Sequence, residues 1–175
     1  MKPSTTWKSV ELKIARYLGG ERRGADFVER DGSSTGKDDV TGLPGWAVEI
    51  KHDKQAGLWL AKDALAQVDT VYGVVQGVAV PVAIIHRGGL RIIEQSVACF
   101  TKTTWDSLGV DNCFYSTYSH TMPRWSNVVN RVTQLPISYQ FTVVTVSKIG
   151  DSTPPIYAVS LPNFKKFILP LRLNQ

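Results

Sequence analysis

Glu11, Asp39, Glu49 and Lys51 are residues whose types and spacing could hold a divalent cation beside a phosphate group. In the run from Gly36 to His52, an apolar stretch follows the turn signal Gly42-Leu43-Pro44-Gly45, which predicts a hairpin. Side chains alternate along a strand, so Trp46, Val48 and Ile50 face one way while Ala47, Glu49 and Lys51 face the other. Pairing symmetric about Pro44 sets Asp39 opposite Glu49, with β-carbons about 5 Å apart. Two like charges placed so are destabilising. A divalent cation turns that repulsion into two ligands, because Mg²⁺ prefers hard oxygen donors and binds through one or two carboxylates, water and substrate phosphate.

A third acid comes from the N-terminal segment. Trp7, Val10, Ile14 and Leu18 recur at helical spacing between a Ser4-Thr5-Thr6 cap signal and a Gly19-Gly20 stop. Glu11 belongs to that stripe, so a helix packed on the sheet carries it inward or to the edge of the interface, where a carboxylate needs a partner. Singly these signals are common: Glu-x-Lys on a strand is usually a solvated pair, and Asp38-Asp39 is ordinary turn chemistry. Their conjunction in this order is what points to a nuclease site.

Other elements must position these groups. Ala25–Glu29 reads as a short first strand and Asp31–Lys37 as a polar loop. Leu58 to about Gln76 reads as a helix with Leu58, Ala61, Leu65, Val68 and Tyr72 on one side, and it carries Gln67. Val78–Ile85 reads as a buried strand, with Pro81 marking a bulge or an edge position. His86-Arg87-Gly88-Gly89 is a turn, and Leu90–Glu94 returns as a strand. This order predicts an α/β fold, a mixed central β-sheet flanked by helices.

From Cys99 to Leu135, Trp105, Tyr115, Tyr118 and Trp125 are interleaved with Arg124 and Arg131 without a strong period. Such residues can stack on unpaired bases, but filling a second small core or a dimer contact is the favoured reading. Phe141–Val146 and Ile156–Leu161 read as strands, and Asn163–Leu169 as a short final element with Lys165-Lys166. No repeat and no linker is visible. Residues 1–175 are therefore expected to form one domain, with a core over about 4–95 and a C-terminal elaboration over about 96–175.

The 175 residues are 43% hydrophobic, enough to bury a core. The formal charge of +5 and a sequence pI of about 9.3 favour a polyanionic partner. No apolar run near 20 residues and no charged-then-apolar leader is present, so the expectation is a cytoplasmic protein without a membrane partner. Cys99 and Cys113, with His52, His86 and His120, lack structural zinc spacings and are expected to be buried free thiols.

The segment from about Trp7 to Ile93 resembles the PD-(D/E)xK nuclease superfamily, and within it the Holliday junction resolvase-like proteins. The resemblance rests on helical Glu11, the Gly32-Ser33-Ser34-Thr35-Gly36 loop, Asp39, Glu49-Ile50-Lys51, and Gln67 on the next helix. One departure is that the Pro-Asp of the motif is here Asp38-Asp39. The resemblance implies a restriction-endonuclease-like core and phosphodiester hydrolysis with Mg²⁺ or Mn²⁺. Asp39, Glu49 and the backbone carbonyl of Ile50 would be metal ligands, with Glu11 able to help hold a second ion. Lys51 would orient or help deprotonate the attacking water, and Gln67 would orient that water or touch the Glu49 carboxylate. Ser33, Ser34 and Thr35, near Arg22, Arg23 and Lys37, would contact backbone phosphates. The implied partner is branched or junction DNA, and the implied assembly a homodimer, since resolving a four-way junction takes two symmetric nicks. A homing, restriction or repair endonuclease of the same superfamily is the alternative, and a non-catalytic DNA-binding protein the second.

Overall fold

The structure is a computed structural model and describes residues 7–23, 39–72, 79–121, 124–134 and 140–173. It is α/β, with a six-stranded mixed sheet between two layers of helices. Helix α1 spans Trp7–Leu18 and buries Val10, Ile14, Ala15 and Leu18. It ends as the glycines require: Gly19 takes φ of 89°, its N–H donates to the Arg16 carbonyl, and the Gly20 N–H donates to the Ala15 carbonyl. Gly20 also packs against the next element, since a β-carbon there would lie 2.6 Å from the Thr41 carbonyl oxygen. Trp7, at the first position of α1, departs from the expected buried stripe and is 53% exposed.

Strands β1 (Glu21–Arg22) and β2 (Val40–Thr41) pair with each other, antiparallel. This corrects the symmetric hairpin: β2 does not ladder with β3 (Trp46–Asp53). The turn itself forms as read, with Pro44 followed by Gly45 at φ of 76° and the Trp46 N–H donating to the Leu43 carbonyl, the pattern of a type II turn. The expected strand Ala25–Glu29 and loop Asp31–Lys37, with Ser33, Ser34, Thr35 and Lys37, lie outside the described residues.

Helix α2 (Leu58–Tyr72) crosses from β3 to the parallel strand β4 (Val80–Arg87). Pro81 sits in that interior strand rather than at an edge or bulge, beyond the stretch Ala83–Ile85 where β4 pairs with β5. The strand expected at Leu90–Glu94 does not form. There the chain makes a turn and a 3₁₀ segment, Ile93–Gln95, and β5 follows at Val97–Thr101. The reason is local: His86, buried, is hydrogen-bonded to Leu90 O (3.3 Å) and Ser96 Oγ (2.8 Å), so both ends of the segment are tied to one ring.

The segment without an evident period contains α3 (Lys102–Leu108), β6 (Tyr115–Thr121) and α4 (Trp125–Val132). Strands β7 (Phe141–Ser147) and β8 (Ile156–Ser160) follow, then helical turns from Leu161 to Leu173. Trp105 and Trp125 fill cores, as favoured, while Tyr118 is exposed. Cys99 is buried, but Cys113 is exposed, against expectation. Among the described residues no helix is long and apolar enough to cross a membrane.

The sheet order is β3-β4-β5-β8-β7-β6. Parallel β3–β4 with its crossover α2 matches parallel β6–β7 with its crossover α4, and β5 and β8 meet antiparallel at the centre. The registers agree residue by residue. Ala83 pairs with Cys99 as Val144 pairs with Ala158, and Ile85 pairs with Val97 as Val146 pairs with Ile156. Both central strands end on a hydroxyl helix cap: Thr101 Oγ1 accepts from the Thr104 N–H, and Ser160 Oγ accepts from the Asn163 N–H. The chain thus repeats its topology about a pseudo-dyad through the Cys99–Ala158 pair, although its sequence shows no repeat. Helices α2 and α4 cover one face, while α1, α3 and the C-terminal turns cover the other.

Candidate metal centre

Strand β3 lies at the edge of the sheet, so its outer side is open to another segment. Asp39 takes that place. Its N–H donates to the Val48 carbonyl (2.7 Å), and its Oδ2 accepts from the Ile50 N–H (2.6 Å). The N–H and C=O of one strand residue project to the same edge, so the Ile50 carbonyl also faces Asp39. Asp39 is therefore joined to β3 as a cap rather than as a ladder partner, which is how it reaches Glu49 without the predicted hairpin. Arg23 holds the other end of the residue, its N–H donating to the Asp39 carbonyl (2.8 Å).

Glu49 points to the α2 side and is only 7% exposed. Lys51, two residues on, bridges it to the helix: Nζ lies 2.8 Å from Glu49 Oε1 and donates to Gln67 Oε1 (2.7 Å). Gln67 in turn donates through Nε2 to Asp63 Oδ2 (3.2 Å), four residues back on α2. Gln67 thus reaches the site through Lys51. Asp63 was not singled out in the sequence, although its i,i+4 relation to Gln67 was the available signal.

Glu11 is 6% exposed on α1 and accepts from Arg22 Nε (2.7 Å), so its burial is compensated as a buried carboxylate requires. Arg22 also stands 5.5 Å from the centre of the Trp7 ring. In this structure its guanidinium is turned inward onto Glu11 and Trp7. Trp7, Glu11, Asp39, Glu49, Ile50, Lys51 and His52 together line one open depression of about 360 Å³. Trp7 and His52 had not been assigned to it.

The electrostatics of the depression are those of crowded acids. Burial first, and then the charge of Glu49, push the Asp39 carboxyl up to about 7; the Ile50 N–H opposes this, Glu11 adds to it and Lys51 reduces it. At neutral pH a proton or a cation is the cheapest way to occupy this acid. Among the described residues no three His, Cys, Asp or Glu side chains are gathered into a preformed cage, because each acid is turned to its own partner: Glu11 to Arg22, Asp39 to Ile50, Glu49 to Lys51. The donor set nevertheless fits a hard divalent ion, with two carboxylates and a main-chain carbonyl at a strand edge and a depression open to solvent.

No protein-family model matches the chain, and neither a curated protein nor a solved structure matches it.

Proposed function

We propose that this chain is a metal-dependent endodeoxyribonuclease with a restriction-endonuclease-like core that cuts branched DNA, two copies delivering the paired nicks. The observation that carries the reading is the wrapping of one strand edge by Asp39, Glu49, Ile50 and Lys51, with Lys51 held by Gln67 from α2 and Glu11 brought in by α1.

Asp39, Glu49 and the Ile50 carbonyl would hold Mg²⁺ or Mn²⁺, and Glu11 is close enough in the same depression to share in binding. When bound, such an ion supplies Lewis acidity toward a phosphoryl oxygen and lowers the pKa of water. The side chains do the rest. Lys51, fixed between Glu49 and Gln67, presents an ammonium to the phosphate, where it orients the attacking water and offsets charge developing on the phosphoryl oxygens. The excess positive charge of the chain would attract the polyanion without reading its sequence.

The test is cleavage of a labelled immobile four-way junction beside its matched linear duplex, each with Mg²⁺ and with chelator. Paired metal-dependent nicks with the duplex spared support the proposal. Cutting of the duplex alone at a defined site replaces it with a sequence-reading endonuclease, and binding without cutting replaces it with a DNA-binding protein.

A further inference from the structure

A second recess of about 400 Å³ adjoins the candidate metal centre, and His52 lines both. It lies beyond the C-terminal ends of β3 and β4, where Lys13 of α1, Lys54 after β3 and Arg91 after β4 converge. Among the described residues no carboxylate lines it. All three cations are exposed, and among the described residues none of them takes part in an ion pair. Three unneutralised cations around one hollow repel one another, which costs stability unless an anion visits.

The walls are held in place. The Gly88 N–H donates to the Asp53 carbonyl (2.7 Å), and Gly88 lies so close to Lys54 that a β-carbon on it would fall 2.8 Å from Lys54 Cγ and 3.0 Å from its backbone. His86 is the floor. A carbonyl only accepts, so Nε2 carries a proton toward Leu90 O, while Nδ1 meets the Ser96 hydroxyl, which can give or accept. Burial lowers the pKa of the ring and favours its neutral form, with Nδ1 as acceptor, and the ring serves as a prop on which His52 stacks at 5.5 Å.

We infer that this recess binds a phosphate group of the nucleic-acid strand whose neighbouring phosphodiester occupies the Asp39–Glu49 depression. The inference rests on the nuclease reading for the identity of the strand, and on the shared His52 wall for its path. Lys13, Lys54 and Arg91 then fix the strand's register on the protein, the usual role of contacts to phosphate.

The experiment is equilibrium binding of the labelled four-way junction to the full chain in chelator, between about 50 and about 200 mM KCl. Wild type is compared with the double variant Lys54→Gln/Arg91→Gln and with Gly88→Ala. The expected result is a slope of log affinity against log salt that is smaller by about 2 in the double variant, roughly 0.9 per lost contact. Gly88→Ala should bind more weakly, because Lys54 must move, and the double variant, relieved of two of the mutually repelling charges, should unfold at or above the wild-type thermal midpoint. An unchanged slope overturns the inference and leaves the nuclease reading standing. A reduced slope from a wild type that never cuts with Mg²⁺ supports the recess and overturns the nuclease reading. Inorganic phosphate titrated at constant ionic strength separates the sources: if it raises the wild-type midpoint, fails to do so in the double variant, and the slopes are equal, the recess takes free phosphate and the strand assignment falls.

Discussion

Glu49 and Tyr118 stand at opposite ends of one row of residues that crosses all six strands. The row runs Glu49, Ala83, Cys99, Ala158, Val144, Tyr118, each step a registered pair, and spans five strand gaps, about 24 Å. The pseudo-dyad thus puts an exposed tyrosine, with the Arg131 guanidinium 4.4 Å from its ring centre, where the other half carries a buried acid. Where the first half has Glu49-x-Lys51, the second has Tyr118-x-His120 in register.

One cutting centre per chain is the consequence under the proposed function. On a supercoiled plasmid carrying an extruded cruciform, protein too dilute to pair should give the nicked circle, and linear DNA should form with a steeper dependence on protein concentration. Linear product from protein that sediments as a monomer under the same conditions would show that a single chain cuts twice.

Under the proposed function, Glu49→Gln removes a charged metal ligand while keeping the size of the side chain. Cleavage should fall by more than about a hundredfold, beyond the range for losing an outer partner of a metal ligand. Junction affinity in chelator should change little, since it comes mainly from phosphate contacts by Lys and Arg. Unimpaired cleavage would remove the site assignment.

Gln67→Ala tests how Lys51 is held. The ammonium loses its contact with α2 but keeps the one to Glu49, so the expected effect is a fall in kcat of about tenfold with KM nearly unchanged. A rise in KM at constant kcat would instead show that Gln67 meets the substrate directly.

Asp39 gives a pH prediction. Its folded value of about 7 lies above the ordinary carboxylate value, so the protonated acid is favoured by folding. That contribution is complete below about pH 4 and is lost as pH rises through 7, a difference on the order of 4 kcal/mol. In chelator, Asp39→Asn should therefore unfold at higher temperature than wild type at pH 8, and the gap should shrink toward pH 5. Adding Mg²⁺ at pH 8 should raise the wild-type midpoint and raise that of the variant less. A variant less stable than wild type at pH 8 in chelator would contradict the crowding of acids described at this edge.

Trp46 ties the edge strand to the C-terminal turns. Its ring meets Phe164 edge-on at 5.2 Å, and its Nε1–H donates to the buried Leu169 carbonyl (3.0 Å). Trp46→Phe keeps most of the apolar contact but leaves that carbonyl without its donor, a cost of about 1–3 kcal/mol. Chemical denaturation should show this as a lower midpoint with an unchanged slope.

What could be read from the residues is what depends on local pattern. Val10, Ile14 and Leu18 declare α1 through their spacing, Pro44-Gly45 declares a turn, and the apolar alternation of Trp46, Val48 and Ile50 declares β3. Asp39, Glu49 and Lys51 came together because they lie within thirteen positions of one another around that turn. The partner of β2 was not legible, since two-residue strands carry no period and pairing is decided by tertiary fit. Leu90–Ile93 looks apolar enough for a strand, but His86, buried just before it in the chain, sets its conformation. The internal repetition was invisible for a different reason. It lives in hydrogen-bond register, which Trp46-Ala47-Val48-Glu49 and Tyr115-Ser116-Thr117-Tyr118 satisfy equally without sharing a residue.

The pseudo-dyad also bears on how the chain folds. Each half closes its own ladders and crossover helix within a contiguous stretch, whereas within the sheet the two halves join only through β5 and β8, whose paired residues lie about sixty positions apart. Loop closure over that distance comes late, because it rewards the chain only after both half-sheets exist to be joined. The Cys99–Ala158 seam is thus the last part of the sheet to assemble, and the strand edge that carries Asp39 and Glu49, wholly inside the first half, takes shape before it.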